Sequence, residues 1–167
     1  HSSVPGRTGL RFGAFQDPVY GAGRVGFAGI ANLCAPLTER FHGVYHAESS
    51  GEGTLVKVAD TLDVAPGTPA RRWRSLSAPA MYRDSADASP TCVFSGSDAV
   101  PASSGRELIM RSSSRGDTTL VDGRACDLSL ISAPQLASLA DAAGPRETRR
   151  WIVFFAKHGV SGAGIYS

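Results

Sequence analysis

The heptapeptide that decides the fold is Trp73-Arg74-Ser75-Leu76-Ser77-Ala78-Pro79, because its frame occurs three times along the chain. The frame has a large apolar residue, a second one three positions on, and a proline three positions further. The same frame is found in Phe12-Gly13-Ala14-Phe15-Gln16-Asp17-Pro18 and in Leu128-Ser129-Leu130-Ile131-Ser132-Ala133-Pro134. The three prolines are 61 and 55 residues apart. A near-constant period of this size is typical of repeat architectures.

A second landmark recurs ahead of the first two heptapeptides. Val4-Pro5-Gly6 and Ala65-Pro66-Gly67 each place a proline seven residues before the apolar residue that opens the frame. Because this landmark is independent of the heptapeptide, its constant offset favours an internal repeat over a chance match. A chain of 167 residues is the size of one ordinary domain. We therefore expect a single repeat domain over residues 1–167, with units at approximately 4–64, 65–123 and 124–167.

The other strands of each unit follow from the alternation of apolar and small residues, which is typical of half-buried strands. Each unit has a second strand built around a phenylalanine, namely Phe27, Phe94 or Phe154. Third strands are expected at Gly43–His46, Leu108–Arg111 and Gly164–Ser167, and fourth strands at Leu55–Asp60 and Thr118–Gly123. The third unit has no counterpart of the fourth strand, and only the residues before Pro5 are left to replace it. This pattern predicts an all-β protein of three tandem four-stranded antiparallel sheets.

One segment departs from the all-strand pattern. The three units differ in length between the motif proline and the second-strand phenylalanine, so each has a different insertion at the same place, and such insertions map to loops on one face. In the third unit the insertion 135–143 is alanine-rich, with Ser132 as a possible N-cap, Pro134 in the first turn and Gly144 as a stop. These signals predict a short helix.

The Pro-Gly pair, the heptapeptide, the Val-x-Phe-x-Gly strand and the Gly-Val/Ile-Tyr strand together span Pro5 to Tyr166. A unit with these features resembles the blade repeat of an uncharacterised family of bacterial β-propeller-like proteins. It is more loosely similar to the blades of TolB-type and WD40 propellers. The resemblance implies β-propeller-like sheets. The chain departs from the family pattern because it lacks the asparagine usual after the motif proline.

The number of units leaves the closure of the fold open. Three blades are fewer than the four to eight that normally close a propeller. The resemblance therefore implies a small or partial propeller, or a homodimer that completes a six-blade ring. Three four-stranded units also suit a pseudo-threefold β-prism or β-trefoil, which is the alternative fold.

Composition narrows the class of partner. Seventeen Lys and Arg against fifteen Asp and Glu give a net charge of +2, which is too small to favour nucleic acid. No apolar run approaches the roughly 18 residues of a membrane span, so we expect a soluble protein that does not span a membrane. Cys34, Cys92 and Cys126 leave four possibilities, which are no disulfide or any one of three pairs.

The candidate chemical sites all have structural explanations. His42 and His46 lie four apart in a strand, about 13 Å, which is too far for one zinc ion without a bend. Asp60 and Asp122 end the fourth strands and are expected to accept backbone hydrogen bonds in turns. The pentapeptide 96–100 lacks the second glycine of a hydrolase elbow. We therefore predict no catalytic, cofactor-binding or metal-binding residue and no cofactor.

Two arginine clusters, at 71–74 and 146–150, lie beside Trp73 and Trp151. We expect both tryptophans to be buried and the arginines to be their solvated neighbours, and we expect Leu76 to be a core residue as well. Arg115-Gly116-Asp117 is an integrin-type tripeptide, but so short a motif occurs too often by chance to support that function.

Rigid sheets, variable insertions and the lack of a convergent titratable cluster favour a non-catalytic function. We expect a protein–protein interaction module or structural subunit that binds another protein or a multi-subunit complex through the variable loops. The alternative is a lectin-like carbohydrate-binding domain. The first residue, His1, and the serine-rich loops favour an exported or organelle-lumen location.

Overall fold

The computed structural model describes residues 3–16, 18–36, 40–48, 54–67, 71–83, 89–98, 107–114, 116–129, 131–140, 148–158 and 162–167. These residues form fourteen β-strands, and no helix occurs among them. This part of the chain accordingly has no helix that is long and apolar enough to cross a membrane.

The strands are β1 (Phe12–Phe15), β2 (Val19–Gly21), β3 (Arg24–Ala31), β4 (Phe41–Glu48), β5 (Val56–Asp60), β6 (Ser75–Leu76), β7 (Ala80–Tyr82), β8 (Thr91–Ser97), β9 (Glu107–Ser113), β10 (Gly116–Asp122), β11 (Leu128–Ser129), β12 (Gln135–Ala140), β13 (Thr148–His158) and β14 (Gly162–Tyr166).

These strands form three antiparallel sheets in consecutive stretches of the chain. In the first sheet β1 and β2 both pair with one edge of β3, and β4 and β5 follow on the other edge. The second sheet has β6 and β7 on β8, followed by β9 and β10. The third has β11 and β12 on β13, followed by β14. The prediction of an all-β protein with three antiparallel sheets is confirmed.

The heptapeptide was predicted to be the first strand of each unit, but a further short strand, which was not predicted, follows its motif proline. Pro18, Pro79 and Pro134 each lie between the two short strands that share one long partner. Proline has no N–H to donate to the ladder, so regular pairing is interrupted there. This break explains why the first two sheets have five strands where four were expected.

One backbone hydrogen bond holds the chain to the second strand just before each proline. The N–H groups of Gln16, Ser77 and Ser132 donate to the carbonyls of Ala28, Ser95 and Phe155 at 2.8 to 2.9 Å. Each acceptor follows the second-strand phenylalanine by one residue. The bond therefore fixes the register of the first strand against the second in all three sheets.

Serine strengthens this junction in the second and third sheets. The Ser77 hydroxyl donates to the Ala78 carbonyl at 3.0 Å and accepts from the Ser95 N–H at 3.0 Å. The Ser132 hydroxyl donates to the Ala133 carbonyl and accepts from the Phe155 N–H at 2.9 Å. The Ser-Ala-Pro ending of these two heptapeptides is thus tied to the second strand by both the backbone and the hydroxyl of the serine.

The second and third strands also meet in one register. The cross-strand partners are Phe27 with Tyr45, Phe94 with Met110, and Phe154 with Tyr166. Side chains that are directly opposite in an antiparallel pair lie on the same face of the sheet. Each phenylalanine therefore shares its face with a large third-strand side chain, and we call this face the phenylalanine side of the sheet.

The Pro-Gly pairs form turns ahead of the first strand. Gly6 and Gly67 have φ angles of 69° and 74°, in the left-handed region that glycine adopts at little cost. The chain then returns so that the Val4 N–H donates to the Leu10 carbonyl at 2.9 Å, and the Ala65 N–H donates to the Arg71 carbonyl at the same distance.

The residues before Pro5 belong to the first sheet. Ser3 forms an isolated bridge with Arg11, and Val4 is buried against Phe12 and Tyr45. The expectation that these residues could replace the fourth strand of the third unit is therefore wrong. Among the described residues the third sheet ends at β14.

The predicted helix at 135–143 is also wrong where the structure describes it, because Gln135–Ala140 is strand β12. Six consecutive residues of β12 pair with β13, from Gln135 with Val153 to Ala140 with Thr148. Among residues other than glycine and proline, helix propensity differs by at most about 0.7 kcal/mol per residue. A continuous ladder on a neighbouring strand outweighs this preference, and residues 141–143 lie outside the described part of the chain.

The first two sheets pack face to face. Trp73, Leu76 and Phe94 of the second unit are buried in one core with Val44 and Ala59 of the first sheet. The prediction that Trp73 and Leu76 are core residues is confirmed. Burying side chains of this size stabilises the folded chain by roughly 1.5 to 3 kcal/mol each.

The second and third sheets pack in the same sense. Val93 and Ile109, on the opposite face of the second sheet, share a core with Phe154 and Ala156 of the third. In both interfaces the phenylalanine side of the later sheet meets the reverse side of the earlier one. All three sheets therefore stack in the same orientation, the second and the third each with the phenylalanine side towards the preceding sheet.

Gly96 leaves room for the Trp73 ring and Leu76 in the core between the first two sheets. A Cβ at this position would lie 2.6 Å from the Trp73 ring and 2.9 Å from Leu76, both closer than real Cβ contacts. We predict that Gly96→Ala lowers the free energy of unfolding by about 1 to 3 kcal/mol, the usual cost of an overpacked core. The measurement is the urea unfolding curve.

The matched control is Gly164→Ala in β14, where the nearest atom to a new Cβ belongs to Tyr166 at an ordinary 3.8 Å. The two variants add the same methyl group to a strand. If both shift the unfolding midpoint equally, the contact of Trp73 with Gly96 does not limit the packing.

Candidate functional site

The two histidines considered as metal ligands both lie on β4. Burial lowers the pKa of His42, and the positive charge of Arg40 lowers it further. Burial and Arg24 likewise lower the pKa of His46. Within the described ranges, no three His, Cys, Asp or Glu side chains come together in a way that could hold a metal ion.

Arg24 connects His46 to the end of β4. Its guanidinium donates to Nδ1 of His46 at 3.3 Å and to a carboxylate oxygen of Glu48 at 3.2 Å. Since Arg can only donate, Nδ1 of His46 accepts and the imidazole is neutral in this contact. Both residues line an open groove of about 340 Å³ between the first two sheets, together with Lys57, Cys92 and Ser112.

Asp60 is the most completely buried carboxylate of the described ion pairs, with no exposed side-chain surface. It accepts from Arg7 at 2.8 Å, from Lys57 at 3.3 Å and from the Leu62 N–H at 2.8 Å. Burial alone would raise the pKa of Asp60, but these hydrogen bonds and charges hold the pKa below its ordinary value. Asp63 completes the cluster by accepting from Lys57 at 2.9 Å.

The two strand-end aspartates make the same turn. The Asp60 carboxylate accepts from the N–H two residues on, at Leu62, and the Asp122 carboxylate does so from Arg124 at 3.1 Å. The structure thus confirms the predicted turn-making role for both. The Asp60 cluster also ties Arg7, from the segment before the first strand, to the end of β5.

The tryptophans of the two arginine clusters differ in burial. Trp73 is buried, as predicted, and Arg71 reaches the buried Asp98 at 3.5 Å. Trp151 is exposed, so the expectation that it is a core residue is wrong. It lies on the face of β13 that points away from the second sheet. Arg115, and with it the integrin-type tripeptide, lies outside the described residues, as does Arg146.

All three cysteines are free thiols, which settles the four possibilities in favour of no disulfide. Cys34 and Cys126 are exposed. Cys92 is buried in β8, and burial raises the pKa of its thiol to about 12. A thiol with this pKa is protonated at neutral pH and is a poor nucleophile.

Part of the phenylalanine side of the first sheet is open, because Val4 and Leu10 cover Phe12 and Tyr45 but leave Phe15 and Tyr20 exposed. We call this surface the first outer face and define it by Phe15, Tyr20, Phe27 and Leu55. Phe15 packs edge to face with Phe27, with ring centroids 5.4 Å apart. Tyr20 pairs with Val25, two residues before Phe27, so it lies on the same side of the sheet. An apolar groove of about 440 Å³ runs past Phe15, Phe27 and Leu55.

Equivalent positions in the second sheet are covered. Phe15 is 56% exposed, whereas Leu76, its counterpart in the heptapeptide, is 3% exposed. Tyr20 is 70% exposed, whereas Met81, which follows Pro79 as Tyr20 follows Pro18, is 6% exposed. The difference arises because the first sheet packs onto the phenylalanine side of the second.

The reverse side of the third sheet is open as well. We call it the last outer face and define it by Trp151, Phe155 and Ile165, all of them exposed. Phe155 and Ile165 are direct cross-strand partners. Ile165 is 76% exposed, whereas the equivalent Ile109 of the second sheet is fully buried. The last outer face therefore matches a surface that the third sheet covers one unit earlier.

Neither outer face was predicted from the sequence, although the repeat itself carries a signal for both. A chain of stacked units has one uncovered face at each end, whatever its length. Tyr20, Phe155 and Ile165 are large apolar residues in the end units at sites of this kind. The loops after the prolines were favoured as the binding surface. Residues 84–88 and 141–147 of these loops lie outside the described part of the chain.

No protein-family model, curated protein or solved structure matches the chain. The resemblance to propeller blades therefore stays a prediction from the sequence.

The Asp60 cluster generates a test of pH dependence. A carboxyl with a depressed pKa stabilises the fold above the ordinary value of 3.8, and this stabilisation is lost as pH falls through the pKa of the folded state. We predict that Asp60→Asn costs about 1 to 3 kcal/mol at neutral pH, typical of lost charged hydrogen bonds. The difference from the original protein should shrink towards acid pH in urea unfolding curves.

The control for this test is Asp117→Asn, which removes an exposed carboxylate from β10. It should leave the pH profile of stability unchanged. A constant difference between Asp60→Asn and the original chain across the whole acid range would contradict the stabilising role of the Asp60 charge.

The cysteines give a second test. We expect iodoacetamide to modify Cys34 and Cys126 in the folded protein, because both are exposed. Cys92 should react only after unfolding, because its thiol is buried and its pKa is about 12. Peptide mass spectrometry measures each site separately. Comparable rates at Cys92 and Cys126 in the folded protein would show that β8 is accessible.

Proposed function

We propose that this chain is a non-catalytic structural or interaction subunit that works by packing its two outer faces against other protein. One observation carries the proposal. Large apolar side chains on the outermost sheets are exposed at positions where the equivalent side chains between the sheets are buried. Phe15 and Leu76 are one such pair, and Ile165 and Ile109 are another.

Physical chemistry supports an interaction role for these surfaces. Contiguous apolar patches on soluble proteins mark interaction sites more often than chance, and aromatic residues are enriched in them. The first outer face combines Phe15, Tyr20 and Phe27, and the last combines Trp151 and Phe155. Tyrosine and tryptophan are also the residues that most often dominate binding energy.

The titratable side chains support a non-catalytic role. Asp60 is committed to Arg7, Lys57 and a backbone N–H. The pKa of Cys92 is too high for a thiolate nucleophile at neutral pH. His46 accepts from Arg24 at Nδ1, so the lone pair of its neutral imidazole is engaged in that hydrogen bond.

We further propose a specific architecture for this subunit, in which the three sheets are repeated, blade-like units of a β-propeller-like assembly. The shared register, the proline break and the Pro-Gly turns support it. The insertions after the motif prolines are a further candidate surface for the same function. They all start from the end of the sheets where the second strands begin.

The test is capture of partners by the tagged chain in its source cells after chemical cross-linking. We expect the original chain to capture another protein or further copies of itself. Combining Phe15→Asp with Ile165→Asp should reduce capture at least tenfold, since a charge in a desolvated interface centre costs about 2 kcal/mol or more.

The matched control is Val64→Asp. Val64 is exposed to about the same extent as Phe15, at 54%, but lies in the link between the first two sheets. This variant should capture as the original chain does. The proposal fails if the double variant captures as much as the control, or if nothing is captured at all.

A further inference from the structure

We infer that two copies of this chain associate head to tail, with the last outer face of each copy packed on the first outer face of the other. Two such contacts close a ring of six sheets. This inference rests on the proposed function and names its partner as a second copy of the chain.

The direction of the sheet stack is the first step. Within one chain, Phe94 on the second sheet packs towards Val44 on the first, and Phe154 on the third packs with Val93 and Ile109 on the second. Both interfaces join a phenylalanine side to a reverse side. No like sides meet within the described chain.

The two open surfaces are the two unlike halves of that same interface. The first outer face is the uncovered part of the phenylalanine side of the first sheet, which carries Phe15 and Phe27. The last outer face is the reverse side of the third sheet, where Ile165 holds the place of Val44 and Ile109. A second copy can therefore cover the first outer face with a reverse side and the last outer face with a phenylalanine side. These are the two sides that meet at both interfaces within the chain.

The number of sheets suits a closed ring. A head-to-tail contact generates a closed ring when its rotation divides a full turn, and a filament when it does not. Two copies of three sheets give six, which lies within the four to eight that close β-propellers. The resulting ring has twofold symmetry and leaves neither apolar face exposed.

The side chains on both surfaces suit burial. Phe15 and Tyr20 contribute two aromatic rings from the first outer face, and Trp151 and Phe155 contribute two from the last. A fully covered aromatic side chain buries roughly 150 to 250 Å². Each contact occurs twice in the ring, so the association gains from both.

The first experiment is sedimentation equilibrium of the purified chain over a micromolar to millimolar range. We expect an assembly of two 17.4-kDa chains. Phe15→Asp and Ile165→Asp should each weaken self-association at least about 30-fold, because each removes a central apolar contact from both interfaces of the ring. Val64→Asp should associate as the original chain does.

The second experiment separates head-to-tail packing from the symmetric alternatives. The Phe15→Asp variant keeps an unaltered last outer face, and the Ile165→Asp variant keeps an unaltered first outer face. Mixing the two variants therefore allows one contact between unaltered faces. We expect a heterodimer, detected by a mass tag on one variant. The chain that carries both substitutions should form no dimer with itself.

Several outcomes would overturn the inference. One is a monomer at all concentrations, and another is loss of association with only one of the two single variants, which indicates like faces meeting. A mixture that fails to form the heterodimer is a third. Urea unfolding checks that each variant is folded, and Phe15→Ser with Ile165→Ser replaces any aspartate variant that is not.

The experiments distinguish failure of this inference from failure of the proposed function. A monomeric chain whose outer faces capture a different protein in cells overturns the second copy as partner and leaves the interaction role in place. A monomeric chain that captures nothing overturns both.

Discussion

The fold depends on one backbone hydrogen bond that occurs in each sheet, from the residue before Ala-Pro or Asp-Pro to the carbonyl after the second-strand phenylalanine. It fixes the first strand against the second at the point where proline ends regular pairing. A slip of one residue in a strand moves every side chain to the other face. Because the bond fixes the register in all three sheets, each sheet has the same phenylalanine side, and the sheets stack in one direction.

The sequence predicted this frame because its signals are local and repeated. Apolar spacing placed Trp73 and Leu76 in a core, and alternation placed the strands around Phe27, Phe94 and Phe154, where the structure has them. The helix at 135–143 was wrong because alanine content reports local preference, while the pairing of β12 with β13 is a long-range effect. The exposure of Trp151 could not be read from the sequence around it either, since burial depends on whether another sheet packs on that face.

Asp60 and Asp122, two of the residues that the sequence singles out as candidate sites, serve the fold. Asp60, predicted as a turn residue, also holds Arg7 and so keeps the N-terminal segment on the first sheet. That segment covers Phe12 and Tyr45 through Val4 and Leu10, and leaves Phe15 and Tyr20 open. The first outer face therefore consists of the apolar residues that the N-terminal segment leaves uncovered. Residue type alone did not identify them, because Phe12 and Phe15 are both phenylalanines.

The uniform direction of the sheet stack also bears on how such proteins change in length. Since every junction joins the same two unlike sides, a gene duplication that adds a unit at either end creates a new junction of the existing kind and leaves the same two ends. The number of sheets in the proposed ring can then be reached with many units in one polypeptide or with few units in several. A longer chain with fewer copies, or a shorter chain with more copies, would use the same type of interface between sheets, so no new interface is needed to change between them.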